Sequence, residues 1–165
     1  MKIQYSEKCF EHALEEQKKR APHMLTKVAN TAARRAGQIR GLVIEHHVSA
    51  WFRKFYPFQY LDADNYQQWT QPCAHDFKLK ISSRILRVDV AGPRKDGSFG
   101  SYRQKPRSDV DFHILCKAIG FQKWDQIDFH EGFEIIGVLK ACDFTVEISP
   151  KNIIPFSDWL KMIHL

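Results

Sequence analysis

Two hydrophobic periods meet at Pro57, and that junction restricts what this chain can become. Upstream, GLVIEHHVSAWFRKF carries Ile44, Val48, Trp51, Phe52 and Phe55 at intervals of three and four, which is one face of a helix. Pro57 cannot continue it, because the ring fixes φ and removes an amide donor. Downstream, DFKLKI and RILRVDV alternate apolar with polar residues, the period of a half-buried strand. Helices followed by strands predict a mixed α/β or α+β domain, with one mixed sheet of four to five strands flanked by helices.

The remaining elements follow from local signals. Ser6 is placed to cap a helix over CFEHALEEQKKR, and Pro22 ends that helix or begins the next one. HMLTKVANTAARRAG reads helical up to Gly37, and a further helix starts at QIRG and runs to Pro57. FQYLDADNYQQWTQPCAH is a polar, aromatic connection. Ser82-Ser83 forms a tight turn, so RILRVDV returns antiparallel to DFKLKI. GPRKDGSFGSYRQKPRS is a loop, VDFHILCKA a central strand, and Ile119 to Gly132 a loop or short helix. FEIIGVLKA and a short FTVEI complete the sheet, and Pro155 opens a closing helix, PFSDWLKMIHL.

The 165 residues suit one domain with its own core, and 44% hydrophobic with 27% charged residues is an ordinary globular balance. A net charge of +6 and a pI near 9.2 favour an anionic partner, most often nucleic acid. Cys9, Cys73, Cys116 and Cys142 are scattered without a CxxC pair, which argues against a zinc knuckle or disulfide framework. The first residues include acids and lack the apolar segment of a signal peptide, and no apolar run reaches membrane-spanning length. The expectation is an intracellular, cytoplasmic protein with no membrane partner. His46 and His47 are adjacent on a helix and point apart, so they make no i,i+4 metal pair.

Acidic residues carry the chemistry. Asp76 opens the first strand of the hairpin and Asp89 closes the second, so both come to one end of the sheet. Two carboxylates there suit a hard divalent ion such as Mg²⁺ or Mn²⁺, which activates water and stabilises charge on a phosphodiester. Glu45 lies beside the apolar face of the preceding helix, placed to complete the shell. Asp109 and Asp111 flank the start of the next strand and read as structural, at the opposite end of the sheet. A rival register takes Asp76-Phe77-Lys78 as a D-x-K, with Asp62 or Asp64 upstream.

The order of helix glutamate, strand-start aspartate and strand-end aspartate resembles the PD-(D/E)xK, or restriction-endonuclease-like, nuclease superfamily. The resemblance covers Gly37 to the C-terminus, residues 37–165, and leaves residues 1–36 as an N-terminal helical extension packed on that core. It implies a metal-dependent DNA endonuclease of homing or restriction type. Asp76, Asp89 and the Val90 carbonyl would hold the metal, and Glu45 would assist. The superfamily places a lysine two residues after the second acid, and this chain has Ala91 there. Three accounts fit: a lysine migrated to Lys78, Lys95 or Lys105, a domain that has lost catalysis, or an engineered replacement of lysine by alanine.

Arg34, Arg35, Arg40, Arg94, Lys95, Arg103 and Arg107 are the candidate phosphate contacts, with Lys105 among the last group. DNA is the expected partner ahead of RNA, and a homodimer would supply two sites for two strands. The alternative is a non-catalytic nucleic-acid-binding or inhibitor protein on the same fold.

Overall fold

A computed structural model describes residues 1–4, 6–20, 32–62, 75–92, 109–123, 126–144 and 148–165. In chain order the elements are β1 (Lys2–Ile3), α1 (Glu7–Arg20), α2 (Ala32–Phe55), β2 (Tyr60–Asp62), β3 (Phe77–Ile81), β4 (Arg84–Ala91), β5 (Phe112–Lys123), β6 (Gln126–Lys140) and α3 (Phe156–Met162). The six strands form one sheet in the order β1-β6-β5-β4-β3-β2. Only β4 and β5 run parallel; every other neighbouring pair is antiparallel. The class is therefore α+β with a mixed sheet, as the change of period predicts.

Several boundaries differ from those expected. α2 runs unbroken through Gly37, where a helix end was predicted. One glycine costs a helix only about 1 kcal/mol relative to alanine, and the burial of Ile39, Leu42, Val43, Ile44, Val48 and Phe52 outweighs that. Of the stretch Ile119 to Gly132, read as loop or short helix, residues 119–123 belong to β5 and residues 126–132 to β6. The alternation of Ile119 with Phe121 and of Ile127 with Phe129 is the signal that reading passed over. Two short edge strands, β1 and β2, bring the sheet to six; too few residues carry a period for either to be read. FTVEI falls largely outside the described residues, and Ala141–Asp143 ahead of it is a 3-10 turn.

The pleat divides the sheet into two faces. Phe77, Leu79, Leu86, Val88, Ile114 and Cys116 point to the side covered by α2 and α3 and form the core with them. Phe52 packs there, its ring 5.0 Å from Phe77 and 6.3 Å from Trp159, while Trp159 meets Phe112 at 5.6 Å. On the second face lie Lys78, Lys80, Ile85, Arg87, Asp89 and Ala91, with His113, Leu115 and Leu139 beside them on β5 and β6. Leu115 and Leu139 are fully buried. Ile154 runs antiparallel alongside β6 and bridges Val138, and a Cβ on Gly137 would stand 2.7 Å from the Ile154 carbonyl oxygen, so glycine permits that close approach. Over β3 and β4 the second face is exposed at Lys80 and Ile85.

α1 docks on α2 through polar groups. His46 Nε2 lies 2.8 Å from Glu16 Oε2, close enough to pair by charge although the ring nitrogen makes no aligned hydrogen bond. The Ser6 amide donates to His47 Nε2 at 2.7 Å, so the proton sits on Nδ1, which donates to the Val43 carbonyl at 2.6 Å. Burial pushes the His47 pKa below its usual value, opposed by the Val43 bond.

Candidate functional site

The site is built around β4, the strand with a parallel neighbour on one side and an antiparallel one on the other. Amides of Val88 and Val90 point to β3, and those of Arg87 and Asp89 point to β5. Regular pairing with β3 stops at Phe77 opposite Val88, which leaves the Val90 amide without a strand partner. Asp76 closes that gap: its amide donates to the Val88 carbonyl at 2.8 Å, and its Oδ2 accepts the Val90 amide at 2.7 Å. On the other side β5 begins only at Phe112, opposite Val88. Asp111 serves there in the same way, donating its amide to the Arg87 carbonyl at 2.9 Å and accepting the Arg87 amide on Oδ2 at 2.8 Å. Arg87 Nε reaches the same oxygen at 3.3 Å.

Asp89 lies between these two and has a different partner. It is paired in register with His113 across the parallel ladder, and His113 Nδ1 donates to Asp89 Oδ2 at 2.8 Å. The His113 side chain is 5% exposed and that of Asp89 22%, so the pair opens to solvent on the aspartate side. Phe144 stacks on the imidazole with centroids 4.0 Å apart and planes 19° from parallel, which fixes the ring's plane as Asp89 fixes its edge. Ala91, two residues on and on the same face, is partly buried at the end of β4.

The hairpin thus brings Asp76, Asp89 and Ala91 to one end of the β3–β4 pair, as its turn at Ser82-Ser83 predicts. Val90 contributes its amide to Asp76. Glu45 is buried on α2. Ile44 Cδ1 lies 3.9 Å from where a Cβ on Gly92 would stand, so the helical turn carrying Glu45 abuts the end of β4. That turn lies on the helix-covered face, whereas Asp89 and Ala91 project from the other. Lys78 pairs in register with Arg87 on the Asp89 face, and Asp62 is engaged by Arg53 at 2.6 Å at the sheet edge. Asp111 was expected at the opposite end; it stands beside Arg87, two residues from Asp89 along β4, because β5 is staggered and joins β4 only from Val88 on.

Arg34, Arg35 and Arg40 lie on the first half of α2, and their side chains are outside the described set; Arg94, Lys95, Arg103, Lys105, Arg107 and Asp64 fall outside the described residues altogether. Among the described residues, no group of three or more His, Cys, Asp and Glu side chains is gathered to hold a metal ion. No helix among them is long and apolar enough to cross a membrane. His113 was missed as the partner of Asp89, and Phe144 as the ring stacked on it. The link of His113 to Asp89 depends on a parallel register between strands twenty residues apart in the chain, which no local pattern shows. No family model, curated protein or solved structure matches the chain.

Proposed function

We propose that the protein is a metal-dependent endonuclease of restriction-endonuclease-like type, acting on DNA at the end of β4. The observation that carries this reading is the meeting of Asp76, Asp89 and the position of Ala91 at one end of the neighbouring strands β3 and β4 of a basic chain. The succession of helix, acid-bearing hairpin and parallel strand supports the same layout. The donor chemistry fits the ion: two carboxylates suit Mg²⁺ or Mn²⁺, which keep several waters as further ligands. The bound ion supplies charge stabilisation and an activated water. Asp89 and Asp76 hold it, and His113 holds Asp89 in one orientation through Nδ1. At Ala91 a methyl group stands where an amine would orient the attacking water.

The test is cleavage of supercoiled plasmid with Mg²⁺ or Mn²⁺ by the chain as it stands, by Ala91→Lys and by Asp89→Asn. Cleavage by the first two and loss in the third is expected for an enzyme that works without the lysine. Cleavage by Ala91→Lys alone indicates a disabled enzyme. No cleavage and no metal binding by any variant overturns the reading. Ala91 itself favours one second reading, a non-catalytic nucleic-acid-binding protein on this fold, which shows as DNA binding without cleavage in all three.

A further inference from the structure

The seam between α1 and α2 brings together donors that the strand-end site does not use. His12 and Glu16 are four residues apart on α1, so they share one face of that helix. His46 meets them from α2. Its Nε2 lies 2.8 Å from Glu16 Oε2, and its ring centre lies 6.1 Å from that of His12. The His46 and Glu16 side chains are 13% and 7% exposed, whereas His12 is exposed. The His46 nitrogen is buried beside the carboxylate, yet it makes no aligned hydrogen bond there. Two donors side by side without a bond between them stand as neighbouring ligands on one ion do, roughly 3 Å apart when each metal bond is about 2.0–2.2 Å. Two imidazoles on such an ion have ring centres roughly 5–6.5 Å apart, and the His12–His46 separation falls in that range.

We infer that His12, Glu16 and His46 bind a metal ion of the zinc class across the seam, with water in the remaining position. Two imidazoles and a carboxylate suit Zn²⁺, whereas the all-oxygen pair of Asp76 and Asp89 suits Mg²⁺. The three side chains are not gathered round one point beforehand. Glu16 and His46 are already in contact, and His12, exposed on α1, completes the shell by changing rotamer. The water position then faces solvent on the His12 side, from which the ion enters. Bound there, the ion ties α1 to α2. The seam lies apart from Asp89, which projects from the sheet face that α2 does not cover, and the inference stands without the hydrolytic reading.

The test is a Co²⁺ titration of the full chain, stripped of metal with a chelator and held in excess Mg²⁺, read by visible absorption and reversed with Zn²⁺. One ion per chain is expected, and Zn²⁺ raises the thermal midpoint of the wild type, because it binds the folded seam. His12→Ala is the decisive variant, since His12 is exposed and its loss leaves the packing in place. It is expected to weaken Co²⁺ binding at least about tenfold, the least that losing even an outer partner of a metal ligand costs. It also removes most of the rise in midpoint with Zn²⁺. His46→Ala moves in the same direction, and its melt without metal checks that it folds. Asp89→Asn keeps the wild-type Co²⁺ affinity. No Co²⁺ binding by the wild type, or wild-type affinity in His12→Ala, overturns the inference. So does an affinity lost in Asp89→Asn and kept in His12→Ala, which gives the ion to the strand end. Co²⁺ binding that needs His12, in a chain that cleaves no plasmid, overturns only the nuclease reading. Plasmid cleavage by a chain whose Co²⁺ affinity His12→Ala leaves unaltered overturns only this one.

Discussion

His47 and His113 are equally hidden from solvent, at 5% and 4% exposed, and the two regions that hold them use them in opposite ways. In the seam between α1 and α2, both nitrogens of His47 are spent on backbone: one accepts the Ser6 amide and the other donates to the Val43 carbonyl. At the strand ends, His113 is held by a carboxylate on one nitrogen and by a stacked phenylalanine on its face. The first arrangement completes a fold. The second aims a side chain, since a carboxylate on one imidazole nitrogen sets the tautomer and the direction of the other. Equal burial therefore does not mean equal employment; the partners decide.

The comparison is tested most severely on the helix-facing side, where packing should dominate. Phe52 is fully buried between Phe77 and the Phe156–Trp159 pair. Phe52→Ala is expected to cost about 3–5 kcal/mol, the range for a large aromatic removed from a core. Urea unfolding measures it, and a cost below about 1 kcal/mol would mean that this side does not carry the stability.

What the sequence makes legible divides along the same line. The helix-facing side is written in period: Ile44, Val48 and Phe52 at helical spacing, Phe77 with Leu79 and Leu86 with Val88 at strand spacing. Each of these is buried. Phe55 breaks the pattern only because the helix ends there. The strand-end region is half legible. Asp76 and Asp89 are brought to one end by a hairpin whose turn is two serines, a local event. His113, Phe144 and the Arg87–Asp111 clasp depend on the parallel β4–β5 register, which the intervening basic loop leaves open. The buried partner of Asp89 is a product of topology, and topology is not periodic.

A second test separates the three aspartates along β4. Removing Asp111 or Asp76 strands a backbone amide of a central strand, Arg87 or Val90, and a backbone amide has no second arrangement. Asp111→Ala and Asp76→Ala are each expected to cost about 1 kcal/mol or somewhat more, since the Arg87 and Val90 amides they leave unmatched are partly buried. The corresponding asparagine variants keep an acceptor oxygen and recover most of it. Asp89→Ala is expected to cost less, under about 1 kcal/mol. The imidazole can move its proton to Nε2 and turn a lone pair to the gap, a rearrangement open to a ring and not to a backbone amide. Chemical denaturation of the three alanine variants side by side checks the order. If Asp89→Ala is as costly as Asp111→Ala, Asp89 is one more backbone clasp.

The smallest effect is the pH dependence that belongs to His47 alone. Its Nε2 is occupied as an acceptor and its Nδ1 as a donor, so a second proton on the ring must break the Ser6 bond. Burial, the larger cause, holds its folded pKa below the usual 6.5, against the pull of the Val43 carbonyl. The unfolded chain therefore takes up a proton near pH 6.5 that the folded chain refuses. This contribution is complete above about pH 6.5 and is lost as pH falls from there through the lower folded value. The loss is at most about 1.4 kcal/mol per pH unit, the value of one proton. Other groups titrate over the same range, so the measurement is a difference: urea unfolding of wild type and His47→Gln at several pH values from 7.5 to about 5. Wild type should fall faster than the variant below pH 6.5 and run parallel to it above. Parallel curves throughout would mean that the seam tolerates a protonated His47. The contrast with His113 would then rest on their partners alone, without a difference in proton uptake behind it.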